Sequence, residues 1–263
     1  MSTNTHPSVP DWFCLKSGKK NFSVNPEEDN DILFGDSEWR EDIDKRLKKS
    51  IAMNWPLRLV WWGQYGIGKT HRLRYTSRQI ENRQYAFHPC YVITADLVDD
   101  SGFEVFNRQL LESHPLDAIR KMTEDYMLRL NTGQSVKKIE ELSVNAPSLV
   151  QVIKNFGSQN SHVSSVAWNF LLGNKLDDAA QQIAGASKPQ LDNSVEYATI
   201  HSVFGHIVKT ETDGKTLVYL IDEAENLGKI KHKKALPRWT EGLRMLLDVE
   251  DVGLIFTVGA ENN

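Results

Sequence analysis

Gly63-Gln64-Tyr65-Gly66-Ile67-Gly68-Lys69-Thr70 is a glycine-rich run that ends in a lysine and a threonine. It fills every fixed position of the pattern Gly-x-x-x-x-Gly-Lys-Ser/Thr. In such a loop the glycines let the backbone curl until successive N–H groups point inward at phosphate oxygens. A helix begins at the loop and adds the positive end of its dipole. Lys69 is expected to reach the β- and γ-phosphates of a nucleotide, and the Thr70 hydroxyl to ligate Mg²⁺. Just ahead, Leu57-Arg-Leu-Val-Trp-Trp62 is a short, bulky apolar run, which reads as a buried strand feeding the loop. Trp61 and Trp62 are therefore expected in the core rather than on a base-stacking surface.

A loop of this kind needs a carboxylate at the end of a neighbouring strand to hold the metal. Leu217-Val-Tyr-Leu-Ile-Asp222-Glu223 supplies it. Asp222 is the expected Mg²⁺ partner, and Glu223 can polarise a water for attack on the γ-phosphate. Further strands are expected at Cys90–Thr94 and Gly253–Val258. Strands alternating with helices call for a parallel sheet covered on both faces. Ahead of the first strand, a helix should start at Asp36 or Ser37, either of which can cap it, and bury Ile43, Leu47 and Ile51. Between the second and third strands the periodicity is helical. Val163, Val166, Ala167, Phe170 and Leu171 share a face, as do Ile200, Val203, Phe204, Ile207 and Val208.

In order and context, Gly66-Ile67-Gly68-Lys69-Thr70, Asp222-Glu223-Ala224-Glu225 and Phe256-Thr-Val-Gly-Ala-Glu-Asn262 resemble the AAA+ superfamily, over residues 30–110 and 195–263. The Ile221-Asp-Glu-Ala-Glu-Asn-Leu227 run and the helix before the first strand look closest to the initiator and helicase-loader branch, with the STAND ATPases next. The resemblance implies a three-layer α/β P-loop NTPase fold that takes ATP and Mg²⁺. It also implies a sensor role for Asn262, which would orient the attacking water beside Glu223, with Thr257 as an alternative polar group. The expected organisation is an N-terminal arm over residues 1–30 and an AAA+-like core over 31–263, interrupted by a helical insertion at 101–195. The family's fifth strand, arginine finger and helical lid have no residues after Asn263. The expectation is a truncated chain, with the site completed by an arginine finger from a second copy or a partner ATPase. The activity this implies is ATP hydrolysis used as a switch or motor to load, recruit or remodel a partner on DNA, in replication, transposition or defence. The alternatives are a STAND-like signalling ATPase that oligomerises on a trigger, and a nucleotide-gated scaffold with little turnover.

The remaining features bound this picture. The chain has 263 residues, 25% of them charged, with a net charge of −4, so any nucleic-acid contact must come from a local patch. Lys229, Lys231, His232, Lys233 and Lys234 follow the acidic strand and form the obvious one; they read either as a solvated basic loop or as a DNA contact. Arg72, Arg74, Arg78 and Arg83 make the helix after the phosphate loop basic and are expected to pair with surface carboxylates or with a neighbouring subunit. Two cysteines, Cys14 and Cys90, are too few for a disulfide framework and fit a reducing, cytoplasmic setting. The histidines are scattered without ligand spacing, so no structural metal is expected. No apolar run approaches the length that crosses a bilayer, and no membrane partner is expected.

Overall fold

The computed structural model describes residues 37–82, 85–94, 103–229 and 235–260. The architecture is α/β: a four-stranded, fully parallel sheet in the order β1-β4-β3-β2, with helices on both faces. The strands are β1 (Arg58–Gln64), β2 (Phe87–Ile93), β3 (Thr216–Asp222) and β4 (Val252–Ala260). All four expected strands are present, each one to three residues longer at one or both ends. β2 begins ahead of Pro89, a residue with no N–H to donate. Pro89 is tolerated there because β2 is an edge strand.

On one face lie α1 (Ser37–Met53) and α2 (Lys69–Asn82). Ile43, Leu47, Leu73 and Ile80 from these helices pack on Phe87, Val218, Leu220 and Ile255 of the sheet. The stripe of α1 is Ile43, Leu47 and Ser50 rather than Ile51, which is 38% exposed. Ser50 turns inward because its hydroxyl donates to the Trp55 carbonyl (2.6 Å) and closes the end of the helix. Asp36, the other expected cap, lies outside the described residues.

The opposite face carries the larger core. From β2 the chain runs into α3 (Phe103–Glu112), α4 (Leu116–Asn131), α5 (Ile139–Leu142), a 3₁₀ turn at Pro147–Leu149, α6 (Val150–Phe156), α7 (Ser161–Leu171) and α8 (Asp178–Ala184). The described residues of this segment form helices and the turns that join them, with no strand among them. α9 (Ser194–Glu211) then returns to the sheet, and α10 (Ala235–Leu247) precedes β4. Local sequence fixes the starts of three of these helices. Asn160, Asp177 and Asn193 cap α7, α8 and α9 by accepting from N–H groups of the first turn. Ile200, Val203, Phe204, Ile207 and Val208 of α9 are all fully buried, as the periodicity requires. No helix among the described residues is long and apolar enough to cross a membrane.

β1 departs from expectation. It reads as a buried strand but, among the described residues, lies at the sheet edge with only one of its faces covered. Leu59 and Trp61 pack toward α1 and α2, with the Trp61 ring edge-on to Trp39 at 5.2 Å. Val60 and Trp62 point the other way and are 61% and 75% exposed. Trp62 is therefore not a core residue. An apolar run reports that a strand can be buried, whereas its position in the sheet decides whether both faces are. The start of β1 is pinned by the Arg58 guanidinium, which donates to the carbonyls of Leu247 (3.0 and 2.9 Å) and Val249 (2.6 Å) at the end of α10.

Candidate nucleotide site

In a parallel α/β sheet the carboxyl ends of the strands share one rim, and ligands bind there. The phosphate loop leaves β1 on that rim. Gly66 and Gly68 hold φ of 81° and 86°, left-handed values that would strain any residue with a Cβ. α2 starts at Lys69, and the loop from Gln64 to Gly68 is exposed. The Lys69 ammonium donates to the carbonyls of Gly63 and Gln64, both at 2.9 Å, and lies 5.4 Å from the centre of the Tyr65 ring. Lys69 is thus folded back over its own loop, its charge shared between backbone dipoles and an aromatic face.

Asp222 ends β3 and is 3% exposed. Three neutral donors hold its carboxylate. The Tyr91 hydroxyl donates to Oδ2 (2.6 Å), while the Thr257 hydroxyl and the Glu223 N–H (3.0 Å) donate to Oδ1. These bonds fill Oδ1 and leave one lone pair on Oδ2, since each oxygen can accept twice. The Arg74 guanidinium lies 4.4 Å above the Tyr91 ring. Burial first, and the hydrogen bond to Asp222 second, push the Tyr91 phenol well above its ordinary range, so it remains a donor.

Glu223 follows with φ of 56°, a left-handed conformation in a non-glycine residue. Strain of this kind costs about 1–3 kcal/mol and persists only where the surroundings impose it. Here they do. The Thr94 hydroxyl is within hydrogen-bond distance of the Asp222 and Glu223 carbonyls (2.8 and 2.6 Å), and Thr94 N–H donates to the Asp222 carbonyl (3.1 Å). Asn226 donates to the Thr94 carbonyl (2.6 Å) and reaches Glu223 Oε2 at 3.4 Å. The backbone is turned so that the Glu223 side chain projects into solvent at the rim. Nearby, the Glu225 carboxylate accepts from the Gly259 N–H at 2.6 Å. A Cβ on Gly259 would collide with that carboxylate and with the Tyr65 ring, so the phosphate loop, the end of β4 and the turn after β3 meet at this glycine.

The structure therefore places the residues from Gly63 to Thr70 in one loop and helix start, and Asp222 with Glu223 at the end of β3, which β4 separates from β1. Asn262 lies outside the described residues, as do Lys231, His232, Lys233, Lys234 and Arg83; nor is the side chain of Lys229 described. Thr257 is fully buried and bonded to Asp222, so it braces the carboxylate instead of facing a water. Of the basic residues on α2, Arg78 pairs with Glu81 (3.3 Å), while Arg72 and Arg74 lie over the rings of Trp39 and Tyr91. Tyr91, Thr94, Glu225 and Asn226 have no motif of their own. Only the β2–β3 register, which sets Ile93 beside Asp222, reveals the first two.

The donor set fits Mg²⁺: a held carboxylate and a threonine hydroxyl at a helix start are hard oxygen ligands. No protein-family model and no curated protein matches this chain, so its functional reading rests on the chemistry of the site.

Proposed function

We propose that this chain binds ATP with Mg²⁺ and hydrolyses it, in a site of the AAA+ kind. The observation that carries this is the pairing of Asp222, held by Tyr91, Thr257 and the Glu223 N–H, with a Glu223 whose strained backbone turns its side chain outward beside the phosphate loop. Lys69 releases the Gly63 and Gln64 carbonyls to meet the β- and γ-phosphates, and the loop N–H groups and the α2 N-terminus take the remaining charge. Thr70 and Asp222 hold the Mg²⁺. When bound, the ion neutralises charge building on the transferring phosphoryl group. Glu223 accepts the proton of a water that attacks the γ-phosphorus as the bond to the bridging oxygen breaks, and ADP leaves.

Hydrolysis here serves as a switch or motor on a partner, with an arginine finger from another subunit completing the site. The exposed Val60 and Trp62 offer apolar surface to such a neighbour, and the basic run at Lys229–Lys234 offers charge to DNA. Reversing Lys231, Lys233 and Lys234 to Glu should weaken DNA binding and flatten its salt dependence. Phosphate release measured for the wild type and Glu223→Gln tests the catalytic assignment. Turnover should collapse in the variant while ATP stays bound, whereas equal turnover would overturn the role of Glu223.

A further inference from the structure

The face of β2 opposite Tyr91 carries a second cluster. His88 and Cys90 stand two residues apart on the strand and so on one face. The turn between α3 and α4 brings His114 against them. Ligand atoms of the three residues all lie within 4.8 Å of one another. Cys90 and His114 are buried, and His88 is half-buried. We propose that His88, Cys90 and His114 form a zinc site that ties β2 to the start of the helical insertion, separate from the nucleotide site.

The hydrogen-bond directions around the cluster determine which nitrogen of His114 is free. Asn107 approaches the Leu171 carbonyl (3.4 Å), which can only accept, so Asn107 presents its amide nitrogen there. Its oxygen then faces His201 Nε2 (3.0 Å), which must carry a proton. His201 Nδ1 is left to accept from the Tyr219 hydroxyl (2.9 Å), and the Tyr219 oxygen accepts from His114 Nε2 (2.7 Å). The chain of donors ends with an unprotonated His114 Nδ1 aimed at Cys90 Sγ, 3.5 Å away. Zinc bonds of about 2.3 Å to sulfur and about 2.0 Å to nitrogen at a tetrahedral angle span about 3.5 Å between those two ligands. Tyr219 is then the outer partner that fixes the ring of a metal-bound histidine.

The thiol–imidazole pair alone would account for two of the three residues. His88, whose ring nitrogen lies within 4.8 Å of both, supplies the third ligand and leaves the fourth position for water. Burial holds His114 down to about 3 and lowers His88, so neither imidazole has a proton to lose. Burial also pushes the Cys90 thiol up to about 12. Zinc binding therefore expels one proton, as Cys–SH and Zn²⁺ become a thiolate–zinc bond and H⁺. The charge of Lys215 adds to the lowering of His88 and opposes a cation there, which weakens the site relative to a four-ligand one.

The test is Co²⁺ titration of the full chain carrying Cys14→Ser, so that Cys90 is its remaining thiol. One cobalt per chain should bind, with a thiolate-to-cobalt charge-transfer band and the visible bands of tetrahedral cobalt. Zn²⁺ should displace it and raise the Tm by roughly 5 °C at saturating metal. Cobalt at Asp222 would have oxygen ligands and give no charge-transfer band, so the two sites are distinguished. Adding Cys90→Ser should abolish the band, and adding His88→Gln, at a half-buried position, should weaken cobalt binding by more than about 10-fold. Absence of the band in the folded protein, its persistence without Cys90, or unchanged affinity in His88→Gln would each overturn the proposal.

Discussion

Adjacent residues of β2 serve two polar networks on opposite faces of the sheet. Tyr91 leans on Asp222 at the open rim, whereas Cys90 faces His114 in the interior, from which Tyr219, His201 and Asn107 lead away. The rim network surrounds an acidic residue with neutral donors and leaves its neighbour Glu223 exposed. The interior network has no solvent to support charge. Burial pushes His114 and His201 down to about 3, and Tyr219 well up, so every member is held neutral. Similar residue types thus serve reaction at the rim and specification of the core in the interior, and access to water separates the two roles.

The sharpest break between the networks should come from Glu223→Gln. Loss of the base at the rim should cut ATP turnover by roughly 10²–10⁴-fold and leave thermal stability near wild type, because the side chain is exposed. His201→Ala should do the reverse. It leaves the Tyr219 hydroxyl proton without an acceptor and the Asn107 Oδ1 without a donor in a fully buried site, and should cost roughly 3 kcal/mol in urea unfolding.

The interior network also makes stability depend on pH. His201 is lowered from 6.5 to about 3 by burial, so below pH 6.5 the unfolded chain binds a proton that the folded chain refuses. The contribution is complete above pH 6.5 and shrinks as pH falls toward 3, with a limiting slope of about 1.4 kcal/mol per pH unit. His201→Gln should flatten that slope over this window; an identical profile would mean that His201 does not drive it.

Smaller effects probe the rim and the sheet edge. Tyr91→Phe removes one of three donors to Asp222 and should weaken Mg²⁺-dependent nucleotide affinity about 10-fold. Trp62→Ser, on the exposed face of β1, should shift stability by less than about 0.5 kcal/mol. A large loss there would mean that this face is covered in solution.

Legibility in the sequence followed range of interaction. Gly63–Thr70, Asp222 and Glu223 were readable because each motif carries its local geometry with it. β3 and α9 were readable because each is buried along its length, so apolarity alone describes them. The exposed face of β1 was not, since apolar content does not state where a strand sits in the sheet. Tyr91, Thr94 and Asn226 become site residues only through strand register and a turn closed on its neighbours. The His88, Cys90 and His114 cluster was missed because a strand and a distant turn supply it. His-x-Cys on a strand was the one local sign that two of these residues share a face.

The most direct test of the central claim is the affinity of Mg²⁺-ATP for the wild type and for Lys69→Ala, by titration calorimetry. Lys69 already sits on the loop, bonded to the Gly63 and Gln64 carbonyls, and is the only side-chain cation that the phosphate-loop motif itself contains. The wild type should bind, and the variant should lose at least about 10-fold in affinity. Equal affinity in the two proteins would contradict a nucleotide site at Gly63–Thr70.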